Sequence, residues 1–142
     1  MNIKFLILIG LIITQYSSAG FALQFKVYDA NNELQIINTS SQNLELSVFQ
    51  LTKKILSETN ILFESTELGI ISIFNIGSRL VTVSETEFKA FGWCYAVNGV
   101  SPEKMPNEIY LQNQADEITW YYGYAAYKNG QWLTQCATDL KL

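Results

Sequence analysis

The 142-residue sequence contains no histidine, which removes the commonest general base and the usual Ser-His and Cys-His nucleophile arrangements. Cysteine is almost as scarce, with Cys94 and Cys136 alone. Without imidazole or a nearby third thiolate, a tetrahedral zinc site has no ligand set, so no metal ligand is assigned. Basic residues are few and scattered, nine Lys and Arg against 13 Asp and Glu. That balance disfavours nucleic acid and anionic membrane surfaces, which need clustered cations to displace counterions. Neither a glycine-rich phosphate loop nor a calcium-loop spacing occurs. The adjacent carboxylates Asp116 and Glu117 would point to opposite faces of a strand and so do not make a catalytic pair. These absences point to a protein that is not an enzyme and has no catalytic residues.

Long apolar runs are also missing, with one exception at the N-terminus. A short basic start, Met1-Asn2-Ile3-Lys4, precedes an apolar run over residues 5–13, and small residues follow at Ser17-Ser18-Ala19 and Gly20-Phe21-Ala22. This is the pattern of a secretory signal peptide over residues 1–22, cleaved after Ala19 or Ala22. The run is well short of the roughly 20 residues that cross a bilayer, so no membrane anchor is expected after cleavage. No lipid-attachment cysteine follows it. The expected product is exported, periplasmic or secreted. Losing Lys4 takes the formal charge from −4 to −5. The remaining segment, residues 23–142, suffices for one domain with one core. In an oxidising compartment its two cysteines most simply form one Cys94–Cys136 disulfide.

Residues 23–28 alternate as a half-buried strand, 29–32 read as a turn and 34–37 as the returning strand. After a polar, cap-rich stretch, Leu44, Val48, Leu51, Ile55 and Leu56 fall on one face at helical spacing. This predicts a helix over 44–58 that ends near Asn60, with Glu45 and Lys53-Lys54 placed to suit its dipole. Short β-branched or aromatic segments at 61–63, 70–75 and 80–83 read as strands, and the polar residues 84–89 as a loop or single helical turn. Residues 93–97 form another strand, stopped by Asn98-Gly99, a pair that tolerates positive φ. Pro102 and Pro106 keep 101–107 out of central strands and helix interiors. A strong strand at 117–124 and the turn Lys128-Asn129-Gly130 lead into a last strand at 131–136.

What the sequence has in plenty is aromatic residues: three Trp, eight Tyr and eight Phe. Strand alternation puts Trp120, Tyr122 and Tyr124 on the face of Ile118, with Tyr121 opposite, and pairs Trp93 with Tyr95 against Cys94. Some of these rings must form the core, since a small domain depends on large apolar residues for burial. Aromatics on both faces of one strand nevertheless exceed what a single helix can cover, and Tyr127 and Trp132 flank a polar turn. The surplus suits a stacking platform for a planar ligand or sugar, or a protein-contact patch.

Hairpin, helix and further strands in that order suggest a β-grasp domain, an α+β fold with one helix packed on a mixed sheet. At Gly92-Trp93-Cys94-Tyr95-Ala96-Val97-Asn98-Gly99 the chain resembles the bacterial relatives of the transcobalamin C-terminal domain. Leu111, the turn at Ala115-Asp116 and the strand Ile118-Thr119-Trp120-Tyr121-Tyr122 are similar to features that follow in that family, with Ala115 replacing the family's turn glycine. The resemblance implies a ubiquitin-like β-grasp fold and, as a possible ligand rather than a resident cofactor, cobalamin or a related corrinoid. The expected function is non-catalytic binding of such a planar ligand, or of a glycan, by an aromatic surface. Its residues would come from Trp93, Tyr95, Trp120, Tyr122, Tyr124 and Trp132, with Asn98 or Tyr127 at the rim. The alternative is a protein–protein interaction module in the envelope or outside the cell.

N-terminal sequencing of exported material should find a chain beginning at Gly20 or Leu23. A product that retains Met1 in a membrane fraction would overturn the signal-peptide reading.

Overall fold

The computed structural model describes residues 22–39 and 42–142; the expected signal peptide lies outside the described residues apart from Ala22. The fold is mixed α+β, mostly strand, with one helix and one disulfide. Strands β1 (Gln24–Tyr28) and β2 (Leu34–Asn38) form the opening antiparallel hairpin. Asp29 builds its turn: one carboxylate oxygen accepts from the backbone N–H of Asn31 and Glu33, while Asn32 takes a positive φ.

Helix α1 (Val48–Glu58) begins four residues later than its apolar periodicity suggests. The reason is a capping box. Ser47 accepts from the Gln50 N–H, and the Gln50 side chain accepts from the Ser47 N–H, so the first turn is closed there. Leu44 and Leu46 lie before the cap yet still pack against the core. Glu45 therefore falls outside the helix and Lys53-Lys54 in its middle, so neither terminal turn carries the charge expected to favour the dipole.

A two-stranded sheet follows, β3 (Phe63–Thr66) with β4 (Gly69–Ile73). Phe74 and Asn75 then adopt positive φ and end β4 before residue 75. Strand β5 (Arg79–Ser84) pairs with β6 (Glu87–Val97), β7 (Glu117–Lys128) pairs with β6, and β8 (Gln131–Ala137) pairs with the far half of β7. Residues 84–89 are thus a tight reversal and the start of β6 rather than a loop or helical turn. Glu87 faces Lys128 across the ladder in a 3.0 Å ion pair, so polarity here marks a solvated strand end. The main sheet has the order β2-β1-β7-β6-β5 with β8 joined to β7; β1 runs parallel to β7, and the other pairings are antiparallel.

One face of this sheet is covered. Val48, Leu51, Ile55 and Leu56 of α1 pack with Phe25, Val27, Ile118, Trp120 and Tyr95 of the sheet and with Ile70 and Ile73 of β4. The indole N–H of Trp120 donates to the hydroxyl of Thr52, which donates in turn to the Val48 carbonyl, so the largest core side chain leaves no polar atom unpaired. The opposite face holds a smaller cluster of Cys94, Ala96 and Tyr121, joined by Tyr28, Cys136 and Leu140. Cys94 and Cys136 are disulfide-bonded with their Cα atoms 5.6 Å apart, which is consistent with an extracellular or periplasmic location.

The Asn98-Gly99 reversal is tied to the loop before β7. Asn98 donates to one oxygen of Asp116 and accepts from the Glu117 N–H; the other oxygen of Asp116 accepts from the N–H groups of Gln112 and Asn113. Burial alone would raise the pKa of Asp116, but the hydrogen bonds from Asn98, Asn113 and Gln112 outweigh it and hold the carboxyl below its ordinary value.

Two outcomes follow from this architecture. Cys94→Ala should destabilise the domain by about 2–5 kcal/mol, and reduction of the native protein should lower its melting temperature; equal labelling of both thiols in native protein would contradict the bond. A carboxyl whose folded-state pKa is depressed stabilises the fold above its unfolded value, and that contribution disappears as pH falls through the folded one. Urea unfolding should therefore show Asp116→Asn less stable by about 1–3 kcal/mol at neutral pH, because an amide cannot accept at both positions. The gap from the parent protein should narrow below about pH 4. A constant gap down to pH 2 would count against this role.

Candidate functional site

The register of β6 with β7 lines up four directly opposed pairs on the helix-covered face: Val97 with Ile118, Tyr95 with Trp120, Trp93 with Tyr122, and Phe91 with Tyr124. They form one aromatic row whose two ends have different surroundings. Tyr95 and Trp120, 5.6 Å apart between ring centroids, are only 8% and 2% exposed. The Tyr95 hydroxyl donates to the Lys104 carbonyl at 2.6 Å; burial first, and Glu108 second, push its pKa up to about 12. Both rings belong to the core and offer no open face to a ligand, a correction to their expected role.

Trp93 marks the transition. It is half-buried, donates from its indole N–H to the Ile76 carbonyl at 2.7 Å and meets Tyr122 edge-on at 5.6 Å. Beyond it, Phe91, Tyr122 and Tyr124 lie outside both buried clusters, and Phe91 packs against the other two, its centroid 6.1 Å from that of Tyr122 and 5.5 Å from that of Tyr124. These three rings line an open cleft of about 620 Å³. Asn31 and Asn32 of the β1–β2 turn, together with Asn75 and Arg79 around the β4–β5 connection, line it too, as do Thr138 and Asp139 after β8. The Tyr122 hydroxyl donates to the Gly77 carbonyl at 2.8 Å and so fixes its ring against that connection. Two cations lie over the platform: the Arg79 guanidinium 4.9 Å from the Phe91 centroid and the Lys89 ammonium 4.5 Å from that of Tyr124.

The remaining expected residues lie elsewhere. Asn98 is at the opposite end of β6, its amide engaged with Asp116 and Glu117, so it rims a structural turn rather than the cleft. Tyr127 and Trp132 sit on the other face, where Phe88 stacks on Tyr127 at 4.6 Å and Trp132 meets both edge-on. Between this tip and the disulfide runs a shallow hollow of about 310 Å³ with Gly92 and Gly123 among its lining residues. A Cβ on Gly123 would come within 3.0 Å of the Ala137 carbonyl and 3.1 Å of Cys94 Sγ, so that glycine serves the disulfide's close approach.

The structure thus brings together Tyr122 and Tyr124, with Trp93 behind them, from the expected set. The sequence reading missed Phe91, Arg79, Lys89 and the three asparagines. Phe91 was within reach, since alternation backward from Trp93 places it on the same face. Among the described residues, no three His, Cys, Asp or Glu side chains form a group able to hold a metal ion.

Comparison with curated proteins finds no match to the chain. Among solved structures, the chain is similar to a Ruminococcus gnavus protein described as a candidate metal-binding protein, with 13% identity and a TM-score of 0.47 over 71% of this chain and 94% of that one. The family model described as Domain of unknown function (DUF4430) matches residues 47–124, from the helix cap at Ser47 to Tyr124 in the cleft, and the chain belongs to that family.

Proposed function

We propose that this domain is a non-catalytic binding module working outside the cytoplasm, and that it takes a small ligand with one flat face in the cleft over Phe91, Tyr122 and Tyr124. The observation that carries this reading is that the cross-strand aromatic row continues beyond the buried cluster into that cleft. Phe91 packed against both Tyr122 and Tyr124 on an antiparallel ladder forms a preorganised stacking surface, which lowers the ordering cost of binding. The lack of any histidine in the chain favours binding over turnover. Export, as the disulfide suggests, belongs to the same proposal.

So does a β-grasp fold shared with transcobalamin C-terminal domains. Its support is the β1–β2 hairpin, the single helix on one sheet face, and the parallel pairing of β1 with the late strand β7. A corrinoid is then one ligand to test beside haem and oligosaccharides. Only one face of such a ring would be covered, so affinity should be modest.

A second reading rests on a different surface. All six residues of β5 are exposed, Leu80 at 63% and Val83 at 54%, and among the described residues the outer edge of this strand has no partner. An extended segment of another protein could add to it as a further strand.

Trp93 touches Tyr122 and should report on the cleft. Titration with cobalamin, cobinamide, haem and oligosaccharides, corrected for ligand absorbance, should give saturable fluorescence quenching with at least one of them. Tyr124→Ala should weaken that binding about tenfold or more while the variant still melts cooperatively. No response to any of them, together with an extracellular protein partner whose binding is lost on Leu80→Lys, would replace the ligand reading with the edge-strand one.

A further inference from the structure

We propose that the cleft selects a carboxylated sugar ring, of the uronic or sialic acid class, with the ring face on Tyr122 and Tyr124 and the carboxylate on Arg79. This deepens the ligand-binding reading and rests on it. The first support is the pair of cations held over the rings. Acidic residues outnumber basic ones 13 to nine in the chain, yet two cations converge on this one platform. The ion pairs among the described residues are Lys26–Glu117, Lys54–Glu58 and Lys128–Glu87, and they include neither Arg79 nor Lys89. Asp139, on the cleft wall, stays beyond ion-pair distance of Arg79. An exposed guanidinium that lies 4.9 Å from the centre of the Phe91 ring and has no carboxylate partner among the described residues can offer its N–H fork to a ligand carboxylate through two parallel hydrogen bonds.

The second support is the chemistry of the rim. The side-chain amides of Asn31, Asn32 and Asn75 make no hydrogen bond among the described residues, and all three line the cleft. Each amide offers both a donor and an acceptor, which matches hydroxyl groups that also do both. An apolar planar anion would use the rings and the guanidinium but leave the exposed amides to water. A neutral sugar would use the rings and amides but leave the cations idle. A sugar acid uses all three sets.

The test compares oligogalacturonic acid, its methyl ester, sialyllactose and lactose by calorimetry and by Trp93 fluorescence, using the full exported chain. At least one acid should bind about tenfold or more tighter than its neutral counterpart, and added salt should narrow the gap. Arg79→Met keeps an apolar chain over Phe91 and should bring the acid's affinity down to that of the neutral form; Arg79→Lys should retain part of the preference. Equal binding of acid and neutral forms would overturn the selectivity while leaving the cleft as a ligand site. So would a preference that survives Arg79→Met in a variant that melts like the parent. Failure of all four sugars, with quenching by a corrinoid or haem, would overturn the sugar-acid inference alone. Failure of every ligand would overturn the cleft reading itself.

Discussion

The continuous antiparallel pairing of β6 with β7, from Glu87 opposite Lys128 to Val97 opposite Ile118, is the constraint on which the other features depend. One end of this ribbon is the core, because β1 adds in parallel to the first half of β7 and α1 packs over Trp120 and Tyr95. The other end extends beyond that cover and is flanked by β5 and β8. A single aromatic row therefore serves two purposes. Near Trp120 its rings contribute buried apolar area, at about 25 cal/mol per Å². Near Tyr124 the same strand geometry presents them to a cleft.

The two sheet faces divide the work differently. On the helix side, stability comes from one large cluster in which the polar groups of Trp120 and Thr52 satisfy each other. On the other side a small cluster around Tyr121 is supplemented by the disulfide. Burial pushes the Tyr121 hydroxyl's pKa up, although its hydrogen bond with Ser101 works the other way; it also donates to the Cys136 carbonyl and so ties β7 to β8 beside the bond. Cross-links of this kind are what a thin, half-covered sheet of this size needs, since a single helix cannot shield both faces. The ligand cleft, in turn, is walled by turns and connections, which can vary without disturbing the ladder beneath them.

Turn chemistry and pairing could be read locally. Asn98-Gly99 and Asn129-Gly130 both adopt the positive φ values that their residue types permit, and the two cysteines meet as their number suggested. Helix α1 was legible in its stripe but not at its start, because periodicity registers Leu44 as readily as Val48, whereas the cap at Ser47 depends on the reciprocal hydrogen bonds with Gln50. The polar stretch at 84–89 misled for a related reason: charge looks the same on a loop and on a solvated strand end until Lys128 is found across from Glu87.

What the sequence determined by itself was which residues share a face, since alternation in a strand follows from backbone geometry and needs no neighbour. It placed Trp120, Tyr122 and Tyr124 together, and so they are. Which of them is buried was decided only by the tertiary structure, because depth along a strand depends on which other elements, here α1 and β4, pack over it. The same holds for the cleft. Asn31, Asn75 and Arg79 come from separate turns and a neighbouring strand, and they converge on Phe91 and Tyr124 only after β5, β6 and β7 have paired in register and the hairpin turn has been carried alongside. Such convergence is a property of long-range pairing, to which local sequence carries no period or spacing as a guide.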